Sequence, residues 1–382
     1  MSAGADRPAL RAERLTLREL RMPLRSPFRI SSGRMHERRV CLLELHHPDG
    51  PVGWSECVAG DWPNYSPETI DTAWHALETW LAPRLLGRDL GSAAEAAPLL
   101  GEGIRGHLMA RASLEMAFWE LEARLRDEPL AALLGGERER LEVGISIGIQ
   151  SDPEALAEKV RAGREEGYRR IKVKIEPGAD LAYVAAAREA LGPDVPLTAD
   201  ANQAYRREDA DHLAELDAYG LVYLEQPLEE GDLLGHARLQ ARLGTPICLD
   251  ESIPSAARAA DMIELDAGRV INIKPGRVGG LARSVAIHDL CRERGVPVWC
   301  GGMLESGVGR AHNVALASLP GFTMPGDISA SRRYWERDIV EPEWSVGPDG
   351  TMEVPWDRAG LGVSVDRDRV DDLTVRSETL SA

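Results

Sequence analysis

Apolar positions change rhythm twice along the chain. Up to about residue 60 they alternate with polar ones, as in "RLTLRELRMPL", and "RRVCLLELHHPDGPVGWSEC" reads as two strands joined at a Pro-Asp-Gly turn. Next, "PETIDTAWHALETWLAPRLLG" and "HLMARASLEMAFWELEARLRDEPLAALLGG" carry apolar residues at steps of three and four and stop at glycine, which predicts amphipathic helices. From about Val143 short β-branched runs take over: "VGISIGI", "RIKVKI", "VPLTAD", "LVYLEQ", "PICLD", "RVINIKP", "VPVWCGG" and a weaker "GFTMPGD". Helical stretches such as "DLAYVAAAREALG" separate them. Eight strands alternating with helices predict a (β/α)8-type barrel, with an open doubly wound sheet as the rival arrangement. Beyond Arg333 the chain becomes rich in Trp, Pro and Gly, and this tail is expected to pack back on the first domain. The boundaries that follow are 1–137 for an α+β capping domain, 138–333 for the barrel and 334–382 for the returning segment.

The 382 residues suffice for such a barrel with an added domain. A net charge of -17 argues against nucleic acid or an anionic membrane as partner, but leaves an acidic small molecule open. Five scattered cysteines without a CxxC pair suit a reduced, intracellular protein, and the N-terminus lacks a signal-peptide run. A soluble, cytoplasmic protein is the expectation.

Three candidate strands end on acids at one interval: Asp200, Glu225 and Asp250 stand 25 residues apart. Strand C-termini meet in one mouth of a barrel, so these carboxylates converge and need a cation among them. A hard divalent ion with oxygen ligands suits them, and Mg²⁺ keeps positions for water or substrate. The plain alternative is that each acid caps the helix after it. Asn202, in "DAN", is either an orienting partner of Asp200 or an ordinary loop residue. In "IKVKI" a period of two sends Lys172 and Lys174 one way and Ile171, Val173 and Ile175 the other. With helices outside, the lysines face inward; on an edge strand they would be solvated. Lys274, in "INIKPG", follows Asp250 by 24 residues and completes the order Lys, Asp, Glu, Asp, Lys over five strands. Such a set suits removal of a proton α to a carboxylate, where a metal offsets the charge that develops and a lysine takes the proton. A lysine on each side of one carbon permits racemisation.

Together, "IKVKI", "DAN", "YLEQPL", "CLDESI", "INIKPGRVGG" and "CGGMLESGVGRAHN" resemble the enolase superfamily, within it the muconate-lactonizing subgroup, and specifically the o-succinylbenzoate synthase and N-acylamino acid (N-succinylamino acid) racemase family. The superfamily's pairing of Lys or His bases with Mg²⁺ is itself a standard example. The resemblance implies a (β/α)7β TIM-type barrel under an N-terminal α+β capping domain that the C-terminal tail completes. It implies Mg²⁺, with Mn²⁺ or Co²⁺ as substitutes, on Asp200, Glu225 and Asp250, and acid/base roles for Lys174 and Lys274, with Lys172 assisting. The implied reactions are syn-dehydration of 2-succinyl-6-hydroxy-2,4-cyclohexadiene-1-carboxylate, a menaquinone precursor, and racemisation of N-acylamino acids, in a homo-oligomer. Ser146, Gly302 and Met303 match positions near the substrate's acyl part; a barrel-layer serine and a tight turn are the alternatives. "SPFRISSG" and "AGDWPNYSPET" resemble loops that close the mouth, with Phe28 as a wall and Tyr65 as a weaker one.

Relatives with a histidine on the seventh strand are disfavoured by "VWCGGMLES". Dipeptide epimerases carry Asp-x-Asp where this chain has Asp327 and Ser329, and muconate cycloisomerases share the lysine pair. A reading of another class makes "GRVGG" and "CGG" phosphate cradles at helix N-termini.

Overall fold

The computed structural model describes residues 9–31 and 33–382. The alternating N-terminal positions form an antiparallel sheet in which β1 (Arg14–Ile30) pairs with β2 (Gly33–His46), and β2 with β3 (Val52–Cys57). "RSPFRI", read from sequence as loop, extends β1. Pro23 and Pro27 are accommodated because the register shifts between Pro23 and Phe28, a bulge at the ribbon's free end. Both faces of this sheet are covered: Leu15, Leu17 and Leu43 enter the capping domain's core, while Leu20, Met22 and Leu42 enter the core shared with the barrel.

Helix α1 (Ile70–Ala76) begins at Thr69, whose hydroxyl accepts from the Thr72 N–H in a reciprocal capping box. It runs on through a wider turn at Leu77–Leu81 into Ala82–Leu85, and Pro83, which has no N–H to donate, sits directly after that wider turn. Helix α2 (Leu108–Arg126) is buried on several sides, Glu115 and Glu120 included, because it lies between the sheet and the barrel.

Seven parallel strands follow in sequence order: β4 (Gly144–Ile147), β5 (Arg170–Lys174), β6 (Leu197–Asp200), β7 (Leu224–Glu225), β8 (Ile247–Leu249), β9 (Val270–Ile273) and β10 (Val298–Cys300). The eighth run, "GFTMPGD", forms no regular strand. Phe322 makes a single parallel bridge to Val298 and Gly326 one to Val143, so an irregular segment closes the ring; Pro325 removes a donor that a ladder would need. This matches a (β/α)7β barrel. The tail returns as β11 (Thr374–Ser381), antiparallel to β1. It also pairs at Thr351–Glu353 with Arg140–Glu142, at the entry to the barrel, which the sequence reading did not foresee. All five cysteines are free and buried. Among the described residues no helix is long and apolar enough to cross a membrane.

Candidate active site

Register brings the charged strand ends into one layer, with Lys174 opposite Asp200 and Asp200 opposite Glu225. On β5 the apolar Ile171, Val173 and Ile175 are fully buried and packed in the barrel's core cluster, while Lys172 and Lys174 point inward at 2% and 8% exposure. Lys274 follows β9. With seven strands and the closing segment as eight positions, β5 and β9 are four apart, so Lys174 and Lys274 face each other across the mouth.

Every predicted acid is paired with one of these cations. Lys172 Nζ lies 2.8 Å from Glu225 Oε2, 3.1 Å from Asp200 Oδ2 and 2.7 Å from Asp327 Oδ2. Lys174 Nζ donates to Asp200 Oδ2 at 2.5 Å and to Asn202 Oδ1 at 2.6 Å. Lys274 Nζ donates to Asp250 Oδ2 at 2.6 Å and to the Tyr65 hydroxyl at 2.9 Å. Tyr65 donates in turn towards both Asp250 oxygens at 3.2 Å, so it belongs to the site and is more than a wall. Asn202 also donates from Nδ2 to Glu251 Oε1 at 3.0 Å, which makes it a bridge between two acidic strand ends. The helices after β7 and β8 are capped by Asp232 and Ser255, so Glu225 and Asp250 are not their caps.

Burial would lower the Lys172 pKa, but Asp327, Glu225 and Asp200 overcome it and hold the ammonium form. Burial is likewise outweighed at Lys274 by Asp250, the Tyr65 oxygen and Glu251. Burial raises Asp200 and Asp250, yet the lysines, with Arg277 beside Asp250, keep both below the usual range. Glu225 is pushed up to about 7 by burial and by Asp200, and Glu251 to about 8 by burial and by Asp250. The site thus packs Asp200, Glu225, Asp250 and Glu251 against Lys172, Lys174, Lys274 and Arg277 in one buried layer, with Asp327 and Arg170 adding one charge of each sign.

The carboxylate set fits a hard divalent cation, because the donors are buried carboxylate oxygens and, among the described residues, Glu251 Oε2 has no hydrogen-bond partner. Among the described residues no three His, Cys, Asp or Glu side chains already stand as a metal cluster; Lys172, Lys174, Lys274 and Arg277 are seated on these carboxylates.

A cavity of about 570 Å³ opens above this layer, bordered by Lys172, Lys174, Asn202 and Lys274. Ser146, Gly302, Met303, Phe28 and Tyr65 all border it. Among the described residues the buried Ser146 Oγ has no hydrogen-bond partner, and a Cβ on Gly302 would stand 2.7 Å from the Asp327 carbonyl oxygen. Phe28 meets Tyr334 edge to face, with centroids 6.3 Å apart.

Four contributors were missed in the sequence. Asn272 donates to Glu225 Oε1 at 2.8 Å, and its signal was available: it stands two positions before Lys274 on one strand and shares that face. Glu251 was visible only as the residue after Asp250. Arg277 Nε lies 2.8 Å from Asp250 Oδ1, reached through a turn that carries no periodicity. Gly301 must lack a side chain, since a Cβ would stand 2.2 Å from Asn272 Oδ1 and 2.7 Å from Lys274 Cε.

The phosphate-cradle alternative fails on geometry. The N-terminus of α3 (Leu281–Arg294), after "GRVGG", is taken by Glu115, which accepts from the Leu281 and Ala282 N–H groups at 2.8 and 2.9 Å. At α4 (Gly307–Ala317), after "CGG", Glu56 accepts from the Ser306 N–H at 2.9 Å. Both anion positions hold a carboxylate of the capping domain.

Residues 12–135 match the mandelate racemase / muconate lactonizing enzyme N-terminal domain, and residues 155–369 the enolase C-terminal domain-like family. The chain is 50% identical over 366 residues to an o-succinylbenzoate synthase of Geobacillus kaustophilus, covering 96% of each. It is 49% identical over 358 residues to an N-succinylamino acid racemase of Amycolatopsis sp, covering 94% of this chain and 96% of that one. A solved enolase superfamily structure from Listeria innocua superposes with a TM-score of 0.92 at 38% identity, over 97% of this chain and 99% of that one. With a capping domain and a barrel that each match a family model, and charged strand ends that meet in one mouth, the chain belongs to the enolase superfamily, in its mandelate racemase/muconate lactonizing enzyme branch.

Proposed function

We propose that this enzyme removes the proton α to a carboxylate, and that it dehydrates 2-succinyl-6-hydroxy-2,4-cyclohexadiene-1-carboxylate to o-succinylbenzoate and racemises N-succinylamino acids. The observation that carries the reading is the pair Lys174 and Lys274, buried on opposing sides of one cavity with Asp200, Glu225 and Asp250 on the strands between them. The relatives named for these two reactions support the substrate class.

Divalent metals are general in this family, and Mg²⁺ on Asp200, Glu225 and Asp250 would supply positive charge beside the substrate carboxylate, where the second negative charge develops. Mn²⁺ or Co²⁺ would serve in its place. In racemisation one lysine, as the free amine, takes the α-proton from its face of the carbon and the other, as the ammonium, returns a proton from the opposite face. For Lys274 to act as the base, a divalent ion on Asp250 would have to offset the carboxylate that otherwise holds it protonated. In dehydration Lys174 removes the proton and then protonates the departing hydroxide, so that a C–H and a C–O bond break, a C=C bond forms and water leaves. Lys274, held by Asp250 and Tyr65, stays an ammonium that pairs with the charge on the carboxylate. Asn202 fixes the Lys174 amine from its other side.

Purified protein is to be given each substrate with Mg²⁺ and then with EDTA, following ring absorbance for the dehydration and optical rotation for the racemisation. Turnover of both, lost in EDTA and restored by Mg²⁺, is expected. Turnover of neither with Mg²⁺, or turnover indifferent to EDTA, overturns the reading.

A further inference from the structure

We propose that Arg111 and Arg283 form an anion site at the seam between the capping domain and the barrel, and that it takes a small free oxyanion of the phosphate type. Neither arginine borders the catalytic cavity, and the site does not rest on the reaction proposed above.

Arg111 stands near the start of α2 and is 8% exposed. Its Nε is shut away from solvent without an acceptor, and among the described residues its guanidinium makes neither a hydrogen bond nor an ion pair. Burial and the Arg283 guanidinium pull its pKa below the ordinary value, and Glu68 offsets this only in part. A buried lysine without a partner would shed its proton. An arginine keeps its charge, so a buried one needs an anion beside it.

The carboxylates nearby are committed to backbone. Glu68 accepts from the Met109 and Ala110 N–H groups at 2.8 and 3.1 Å, and Glu115 from those of Leu281 and Ala282. Arg283, in the first turn of α3, donates from Nε to the Val278 carbonyl at 2.6 Å and from Nη2 to that of Pro254 at 2.9 Å. Its Nη1 is left without a partner among the described residues.

Two glycines show how the guanidiniums sit. A Cβ on Gly101 would stand 2.7 Å from Arg111 Nη2, so that end lies against bare backbone. A Cβ on Gly279 would stand 3.1 Å from Arg283 Nε and 3.2 Å from Leu108 Cδ2, and Leu108 precedes Arg111 by one turn on the same face of α2. Both cations are also near helix N-termini, where the dipole adds positive charge instead of offsetting it. The donors are side chains, in contrast to the N–H groups of the glycine-rich turns, which carboxylates already occupy. Guanidinium forks match the oxygens of a phosphate, and two of them favour a dianion over chloride or acetate. So narrow an opening admits a free ion and excludes a nucleotide.

The test is calorimetric titration of inorganic phosphate into wild type, Arg111→Met and Arg283→Glu, in Mg²⁺-free buffer with EDTA at constant ionic strength. Wild type should bind one equivalent with a dissociation constant on the order of 1 mM or tighter, and sulfate should compete for the place. Each variant should bind at least about tenfold more weakly. Arg283→Glu exchanges a like charge for the missing partner of Arg111, so in phosphate-free buffer it should melt above wild type; melting below wild type overturns the missing-partner argument. Wild type that binds no phosphate, the result expected if the exposed Glu102 swings over to Arg111, overturns the site. Binding that persists in both variants, or that N-succinylalanine displaces, places the ion elsewhere and overturns it too. Adenosine monophosphate binding as tightly as phosphate overturns the choice of a free ion.

Discussion

Lys172→Met removes one ammonium from among three carboxylates, Asp200 and Glu225 buried and Asp327 partly so, while keeping the aliphatic stem. Nζ lies 2.7, 2.8 and 3.1 Å from Asp327, Glu225 and Asp200, and the side chain is buried. Each contact is worth about 5–6 kcal/mol by Coulomb's law at an effective dielectric of 20, an upper bound. Measured losses on breaking one buried pair are roughly 3–5 kcal/mol. Neighbours soften the loss: Arg170 keeps its bond to Asp327, Asn272 keeps its bond to Glu225, and Glu225, already pushed up to about 7, can take a proton. About 3 kcal/mol remains. For 382 residues the unfolding entropy is about 0.8 kcal/mol/K, so the melting temperature should fall by about 4 °C in EDTA at pH 8. Scanning calorimetry of wild type and variant, with EDTA and with excess Mg²⁺, measures it. Mg²⁺ should recover part of the loss, because a divalent ion held by Asp200 and Glu225, as proposed, would take over some of the neutralisation. A variant melting within 1 °C of wild type in EDTA would mean that these carboxylates do not depend on Lys172, and the electrostatic account of the site would be refuted.

Three further outcomes follow from particular contacts. Tyr65→Phe removes the hydroxyl between Lys274 and Asp250 and should lower kcat about tenfold, the effect of one hydrogen bond to a charged group; an unchanged kcat would show that Lys274 needs no such support. Gly301→Ala puts a methyl group against Asn272 and Lys274 and should cost about 1–3 kcal/mol of stability, with activity reduced at least tenfold; calorimetry and racemisation kinetics together check this. Glu115, buried between α2 and α3, is pushed up to about 7 by burial, so between about 4.5 and about 7 the folded protein holds a proton that the unfolded chain releases. Its contribution is full below pH 4.5 and lost as pH rises through 7, a span of about 3 kcal/mol. Relative to Glu115→Gln, wild type should therefore gain about 3 °C in melting temperature between pH 8 and pH 5, where about 2.5 kcal/mol of that span falls, and a difference independent of pH would contradict the assignment.

The alternation of "IKVKI" and the 25-residue interval made five of the charged strand ends legible, because both features follow from backbone geometry: a period of two on strands and one strand-helix unit per repeat. Contacts that cross the chain have no such signature. Tyr65 meets Asp250 across 185 residues and Glu115 meets Leu281 across 166, and nothing local to any of them announces the partner. "SPFRISSG" resembles loops that close the mouth, yet a bulge at a free ribbon end tolerates its proline, so β1 runs on through Ile30. The eighth barrel position was the weakest run and is the one that forms only single bridges. Asn272 shows the reverse case, since the period-two rule that placed Lys172 beside Lys174 also placed it beside Lys274, and was not applied there.

The most direct test of the central claim, that Lys174 and Lys274 serve opposite faces of one carbon, is α-proton exchange in D₂O with Mg²⁺. Loss of the α-proton signal from each enantiomer of one N-succinylamino acid is followed separately for wild type, Lys174→Ala and Lys274→Ala. Wild type should exchange both enantiomers, and each variant should lose exchange of one enantiomer first, the two variants losing opposite ones. Exchange of both enantiomers at wild-type rates in both variants, or loss of the same enantiomer in each, would contradict the two-lysine account.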